Sequence, residues 1–323
     1  MLPLVSICVP VYNVAPYIAR CMHSLMQQTY GNIEFVFVDD CSTDDSVSLL
    51  QNVIAGYPDR AKQVRILHND RNHGLAYTRR VSIEAAKGEW ILCVDSDDYI
   101  EPVTVERMYA ACTPDCEMVI GGYMDHNSSG SVVVDVSRTP KEDLLRAALE
   151  DQICRLSGKL IRRNLFNHPN TRFAPDGLNY LEDRFVLFCL CGVIRHISIV
   201  SEPFYHYVQH TDSVSFTKTD YHFRCLIQYW QFVDRYLNEH HLTDTYRALV
   251  ERQKMEDKTH LLHFCPDVSV CRQYADIFPE AETQQPALNV TRGLRITRFL
   301  THHHLWILLY FYKKYVKFSL LFA

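Results

Sequence analysis

The first 110 residues predict an α/β fold, a mostly parallel sheet flanked by helices, and three observations carry that expectation. Short apolar runs (VSICV, IEFVFV, VRILH and WILCV) recur along the segment, stretches of helical periodicity separate them, and each run ends in a polar cluster. Strands apolar on both faces belong to parallel sheets covered by helices. Sheets of this kind bind ligands beyond the carboxyl ends of their strands.

The elements follow in order. Val5–Val9 reads as a first strand and not as a secretory leader, because no basic start and no small-residue cleavage site accompany it. A helix follows with Pro16 in its first turn. Its apolar positions Ile18, Cys21, Met22, Leu25 and Met26 fall on one face. Ile33–Val38 is the second strand. Ser42, Thr43, Asp44 and Asp45 read as a capping box opening a helix to about Ala55. Val64–His68 is the third strand, Gly74–Ala86 the third helix, and Trp90–Val94 the fourth strand. Residues 115–136 read as a hairpin and 140–150 as helical, while 155–215 mix short elements. The stretch from Tyr221 to about His263 is helical and aromatic-rich, and 265–295 is less regular. The expected organisation is an α/β domain over 1–216, in halves of 1–110 and 111–216. A helical extension over 217–300 and a terminal amphipathic helix over 301–323 complete it.

Composition narrows the function. In 323 residues the net charge is −5, so no global positive field favours nucleic acid. The twelve cysteines are scattered, several in apolar runs, and read as buried thiols of a reducing compartment. Cys112/Cys116 and Cys189/Cys191 lack the second matching pair a zinc site needs. No window of 18 uncharged apolar residues marks a transmembrane helix.

The chemistry gathers at the strand ends. In ILCVDSDDYIE, four apolar residues run into Asp95, Asp97 and Asp98. Positions i and i+2 of an extended chain share a side, so Asp95 and Asp97 can face one cation. Such a hard ion, held by one or two carboxylates, keeps positions open for phosphate oxygens. The other job for these acids is capping a solvated turn, but their place at the end of a buried strand, on a rim shared with other acids, favours the cation. Asp39 and Asp40 end the neighbouring strand and suit either a nucleobase N–H or a helix cap. Asn72 and Gly74 precede a helix whose N-terminus favours an anion. Arg79 lies within that helix, as a phosphate ligand or a surface arginine. Glu182 and Asp183 open an apolar helix, where an acid serves as an N-terminal charge or as a general base kept from solvent.

VSICVPVYN, FVFVDDCSTDDS, NHGLAYTRR and GEWILCVDSDDYIEP, in this order and spacing, resemble the motifs of the family-two inverting glycosyltransferases of GT-A fold. GKLIRRNLF and RFAPDGLNYLEDRFVLF resemble that family's second half, and YHYVQHTDSVS its donor-closing loop, so the likeness covers about residues 3–216. It departs at Cys41, where the family has Gly, and at Thr78-Arg79-Arg80, where Ala-Arg-Asn is commoner. The resemblance implies an enzyme moving a sugar, UDP-hexose by default, to a glycan or lipid-linked hydroxyl, with a β-linked product from an α-linked donor. It implies Mg²⁺ or Mn²⁺ on Asp97 with Asp95 or Asp98, and a donor pocket of Pro10, Tyr12, Asp39, Asp40, Arg79, Asp95 and Ser96. Asp183 is then the base, and His206 and His210 either touch the metal and diphosphate or pack within an aromatic segment. The competing classes are a silent glycan- or nucleotide-binding relative, which should lack an acid at 95, 97 or 183, and a sugar-nucleotide pyrophosphorylase. The latter should carry a Gly-rich basic loop where this chain has PVYNVAP.

HHHLWILLYFYKKYVKFSLLFA ends the sequence, with Lys313, Lys314 and Lys317 in one helical sector among bulky apolar residues. Too charged to span a bilayer, it reads as an interfacial helix with lysines at the headgroups. Its other reading is docking onto the protein's own core or a partner subunit, as in a homo-oligomer. The expected setting is cytoplasmic, peripheral at the inner face of the plasma membrane, in surface-polysaccharide synthesis.

Overall fold

A computed structural model describes residues 2–127, 130–153, 155–210, 218–282 and 291–319. The chain divides into two compact units, residues 1–210 and 211–323.

The first unit holds a nine-stranded sheet. Its strands are β1 (Val5–Val11), β2 (Ile33–Asp39), β3 (Val64–His68), β4 (Trp90–Cys93), β5 (Tyr99–Ile100), β6 (Met118–Asn127), β7 (Gly130–Val134), β8 (Lys159–Arg162) and β9 (Ile197–Val208). The order is β3-β2-β1-β4-β8-β6-β9-β5, with β7 pairing β6 to complete the expected hairpin. β3, β2, β1 and β4 are parallel. Beyond β4 the sheet is mixed, because β8 inserts antiparallel between β4 and β6. The helices are α1 (Ala15–Met26), α2 (Ser46–Ala55), α3 (Pro58–Ala61), α4 (Leu75–Ala85), α5 (Thr104–Ala110), α6 (Leu144–Leu149) and α7 (Glu182–Val193).

β1 and β2 are buried along their whole length, and the polar Ser6 and Glu34 within them bond to each other. The buried face of α1 is Ile18, Cys21, Met22, Leu25 and Met26, the stripe read from the sequence. These residues share one core with Phe35, Phe37, Trp90 and Leu92. The chain builds outward from β1 through β2 to β3, then returns to lay β4 on the other side of β1. The sheet's topological switch point therefore lies between β1 and β4, and a ligand crevice opens at the carboxyl ends there.

One expected boundary moves. α2 begins at Ser46, and its N-cap Asp45 makes no side-chain cap bond. The residues expected to form a capping box lace two loops together instead. Ser42 Oγ accepts from the Asn13 amide, and Asp44 accepts from the amides of Ala15 and Ser46. Four donors and acceptors committed across the β1–α1 connection leave none for a reciprocal box.

The second unit is helical: α8 (Asp220–Glu239), α9 (Thr243–Phe264), α10 (Val268–Tyr274), α11 (Arg292–His302) and α12 (Trp306–Ser319). Thr219 and His222 form a reciprocal cap at the start of α8, with histidine in the place usually held by Glu. Lys254 is buried between Asp234 and Glu280. Lys313, expected among lipid headgroups, points inward and donates to the carbonyls of Leu262, His263 and Cys265. The final carbonyls of a helix have no partner of their own, and a cation there also meets the negative end of the helix dipole. Among the described residues, no helix is long and apolar enough to cross a membrane, and the described cysteines are free.

Candidate active site

The crevice is built from strand ends. β1 delivers Tyr12 to the rim, 46% exposed, while Pro10 stays buried within the strand. β2 ends at Asp39, whose carboxylate accepts from the Ser42 amide at 3.0 Å and meets His68 Nδ1 at 3.2 Å. Asp40 is buried and fully engaged. Its Oδ1 accepts from Asn69 Nδ2 and the His73 amide, its Oδ2 from the Gly74 amide at 2.7 Å. Asp40 thus fixes the loop that opens α4.

The same loop explains Gly74. Its φ is +88°, and a Cβ there would lie 2.3 Å from the Asn179 side chain. Asn179 Oδ1 accepts from the Ala76 amide in the first turn of α4. Asp40 and Asn179 thus take the amides of His73, Gly74 and Ala76, which narrows the anion site expected at this helix start beside Asn72. Asn72 itself is exposed on the loop. Cys41 stands where the resembled family has glycine, and its φ is +60°. A left-handed conformation costs a non-glycine residue about 1–2 kcal/mol. Cys41→Gly is expected to raise stability by about 1 kcal/mol in chemical denaturation. No gain would mean that the contact of Cys41 Sγ with the Asn69 carbonyl outweighs the strain.

Arg79 departs most from expectation. Its side chain is only 5% exposed and runs beneath the crevice instead of facing it. Nη2 reaches Asp95 Oδ1 at 2.9 Å and Glu182 Oε1 at 3.0 Å. One buried guanidinium, 103 residues before Glu182 in sequence, thereby ties the end of β4 to the start of α7. Burial opposes its charge, but the carboxylates of Asp95 and Glu182 hold it well above the ordinary guanidinium range.

Around this cation lie more acids than it can balance. Burial and the neighbouring Asp183 push Glu182 up to about 8, with Arg79 pulling the other way. Asp183 is also pushed up by burial and by Asp95, against the pull of Arg79, and its Oδ1 accepts from the Arg184 amide. Asp97 is pushed up by burial and by Asp95, with His210 opposing. Like charges at this spacing are stabilised by a cation among them.

Asp98 has a different job. It is buried, its Oδ2 accepts from the Tyr205 hydroxyl at 2.6 Å, and its Oδ1 accepts from the Val208 amide at 2.8 Å. Tyr205 Oη in turn accepts from the Asp95 amide. Both oxygens of Asp98 are thus spent on β9, which removes it from the pair expected to share a cation and leaves Asp95 and Asp97, both part-exposed. Ser96 is buried in the turn between them. Arg20 secures the same turn by donating to the Asp97 carbonyl.

The two histidines separate. His210 Nε2 lies 2.7 Å from Asp97 Oδ2, and its ring stacks on Tyr17 at 4.5 Å. His206 packs away from the acids, stacked on Tyr99 at 4.2 Å and bonded to Glu101 and His126. Tyr205, Asn179 and Arg20 were not legible as site residues, because their partners lie 77 to 110 residues distant.

Among the described residues, no three acidic, histidine or cysteine side chains converge to hold a metal unaided. Asp95 and Asp97 supply the hard oxygen donors that suit Mg²⁺ or Mn²⁺. An ion on so few protein ligands completes its shell from water and phosphate.

The mixed sheet thus carries acids at its switch point, and a second acidic pair stands at the head of α7. The description of glycosyl transferase family 2 matches residues 6–175. The chain belongs to that family. It is 34% identical over 220 residues to EpsH of Bacillus subtilis, covering 66% of this chain and 62% of EpsH. The chain thus spans less than two thirds of that relative. In fold it is similar to S. aureus TarS, solved with UDP-GlcNAc, at TM-score 0.59 and 19% identity over 93% of this chain and 89% of that one. The mannosyltransferase PcManGT of Pyrobaculum calidifontis, solved with GDP-Man and Mn²⁺, is similar at TM-score 0.51 and 16% identity, covering 98% and 85%.

Proposed function

We propose that this chain is an inverting glycosyltransferase that moves a hexosyl group from a nucleoside diphosphate sugar, UDP-hexose by preference, to a hydroxyl of a glycan or lipid-linked acceptor. The observation that carries the reading is the joining of two acidic sites by Arg79, Asp95 on one side and Glu182 with Asp183 on the other. A donor diphosphate at the first places its sugar toward the second. Likeness to structures holding UDP-GlcNAc and GDP-Man with Mn²⁺ supports a nucleotide-sugar donor and a divalent ion.

Asp95 and Asp97 would hold Mg²⁺ or Mn²⁺, with His210 at its edge. Bound there, the ion would offset charge on the departing diphosphate, so that no acid is needed for the leaving group. Tyr12 offers an exposed ring to the base, and Asp39, with Pro10 behind it, borders the nucleoside. Asp183 takes the proton from the attacking hydroxyl. Its carboxyl, pushed up by burial, suits a base near neutral pH. Attack opposite the diphosphate on an oxocarbenium-like centre inverts the configuration. The setting in keeping with this reading is surface-polysaccharide synthesis at the cytoplasmic face of the plasma membrane.

The test is transfer and hydrolysis across a panel of nucleotide sugars, with and without Mn²⁺, alongside calorimetry of Asp97→Ala. The variant is expected to lose metal-dependent nucleotide affinity and keep its melting temperature, because Asp97 lies at the rim. Unchanged nucleotide affinity with Mn²⁺ present would remove Asp97 from the metal site.

A further inference from the structure

Among the described residues, the outward face of α12 carries bulky apolar side chains exposed to solvent. Residues four apart stack along a helix, which aligns Ile307, Phe311 and Tyr315, with Leu308 beside them. These four are 74%, 62%, 70% and 55% exposed. The opposite face is occupied: Leu309 is fully buried, and Lys313 is spent on the carbonyls at the end of α9. The helix is therefore docked on one side and presents bulky apolar residues on the other. Single exposed apolar side chains need no explanation, but a contiguous row of four marks a surface that something covers.

Charge identifies what covers it. No acid follows Glu282, while Arg292, Arg295, Arg298, Lys313, Lys314 and Lys317 do. The chain's net charge is −5, so the residues up to 282 carry −11 and this tract carries +6. Lys314 is exposed at the edge of the apolar row, its ammonium 4.7 Å from the Tyr310 ring. An isologous contact between two copies sets a patch against itself, and here it would bring Lys314 of each copy onto a helix that holds no acid. A surface of fixed negative charge with an apolar layer beneath matches both features.

We propose that this face of α12 seats on an anionic lipid bilayer, with Ile307, Leu308, Phe311 and Tyr315 in the interfacial layer and Lys314 at the headgroups. The proposal does not depend on the assignment of the sugar-transfer site.

Flotation of the full chain with vesicles tests it. Vesicles of phosphatidylcholine alone are compared with vesicles containing one quarter phosphatidylglycerol. Association is expected with the anionic vesicles, at least about tenfold weaker with the neutral ones and weakened by added salt. Ile307→Glu with Phe311→Glu should abolish it. Both side chains are exposed, so circular dichroism and melting temperature should stay as in the parent. Lys314→Glu, which leaves the apolar row intact, should reduce the preference for anionic vesicles. Equal flotation of parent and double variant, or indifference to anionic lipid, would overturn the proposal. So would absent flotation together with a dimer, seen by sedimentation, that the double variant abolishes.

Discussion

Asp183→Asn is expected to leave donor affinity intact and to lower turnover by about 10²–10⁴. The amide keeps the size of the side chain and can still accept from the Arg184 amide, so the start of α7 should hold. What it loses is the capacity to take a proton from the acceptor. Single-turnover transfer at saturating acceptor separates this from a binding defect. Glu182 is a poor alternative for the base, because its carboxylate is committed to Arg79 at 3.0 Å. Glu182→Gln should therefore show itself first in thermal stability. Transfer by Asp183→Asn at close to the parent rate would take the residue out of the mechanism.

Arg79→Met should cost about 3–5 kcal/mol, the range for removing one partner of a buried ion pair. The loss comes less from the pair than from what remains. The buried Glu182, and Asp95 and Asp183 near it, would be left without their cation. Protonation would relieve part of that, at the expense of any site that needs these acids ionised. Denaturant unfolding measures the effect. Arg79→Met combined with Glu182→Leu should recover much of the stability, because a neutral pair replaces an orphaned charge. A loss under about 1 kcal/mol in the single variant, the range of exposed pairs, would show that water reaches the triad.

The parallel half of the sheet was legible because its information is local. β1, β2 and β4 are apolar-rich and buried along their length, and the stripe of α1 repeats at helical spacing. The acids at the strand ends were legible for the same reason: strand ends in a parallel sheet share a rim. The division of labour among those acids was not. Asp97 and Asp98 are adjacent and identical in type, yet one faces the crevice with His210 and the other faces β9 with Tyr205. Likewise Arg79 was readable as a cation near phosphate, but its partner on α7 is set by tertiary packing. The insertion of β8 beside β4 is of this kind too, since nothing local distinguishes an antiparallel partner from a parallel one. In the second unit, the three lysines read as one sector divide, Lys313 turning inward because helix-end carbonyls await a donor.

The bond from Asp98 to Tyr205 and Val208 also sets an order of events. Every acid of the turn has been synthesised by residue 98, but the strand that fixes the turn comes 107 to 110 residues later. Contacts that close so long a loop form late in folding. During synthesis the amino-terminal half can therefore bury its strands while this turn is still unfixed. A partly made chain would then hold a sheet but not the acidic turn in its final form.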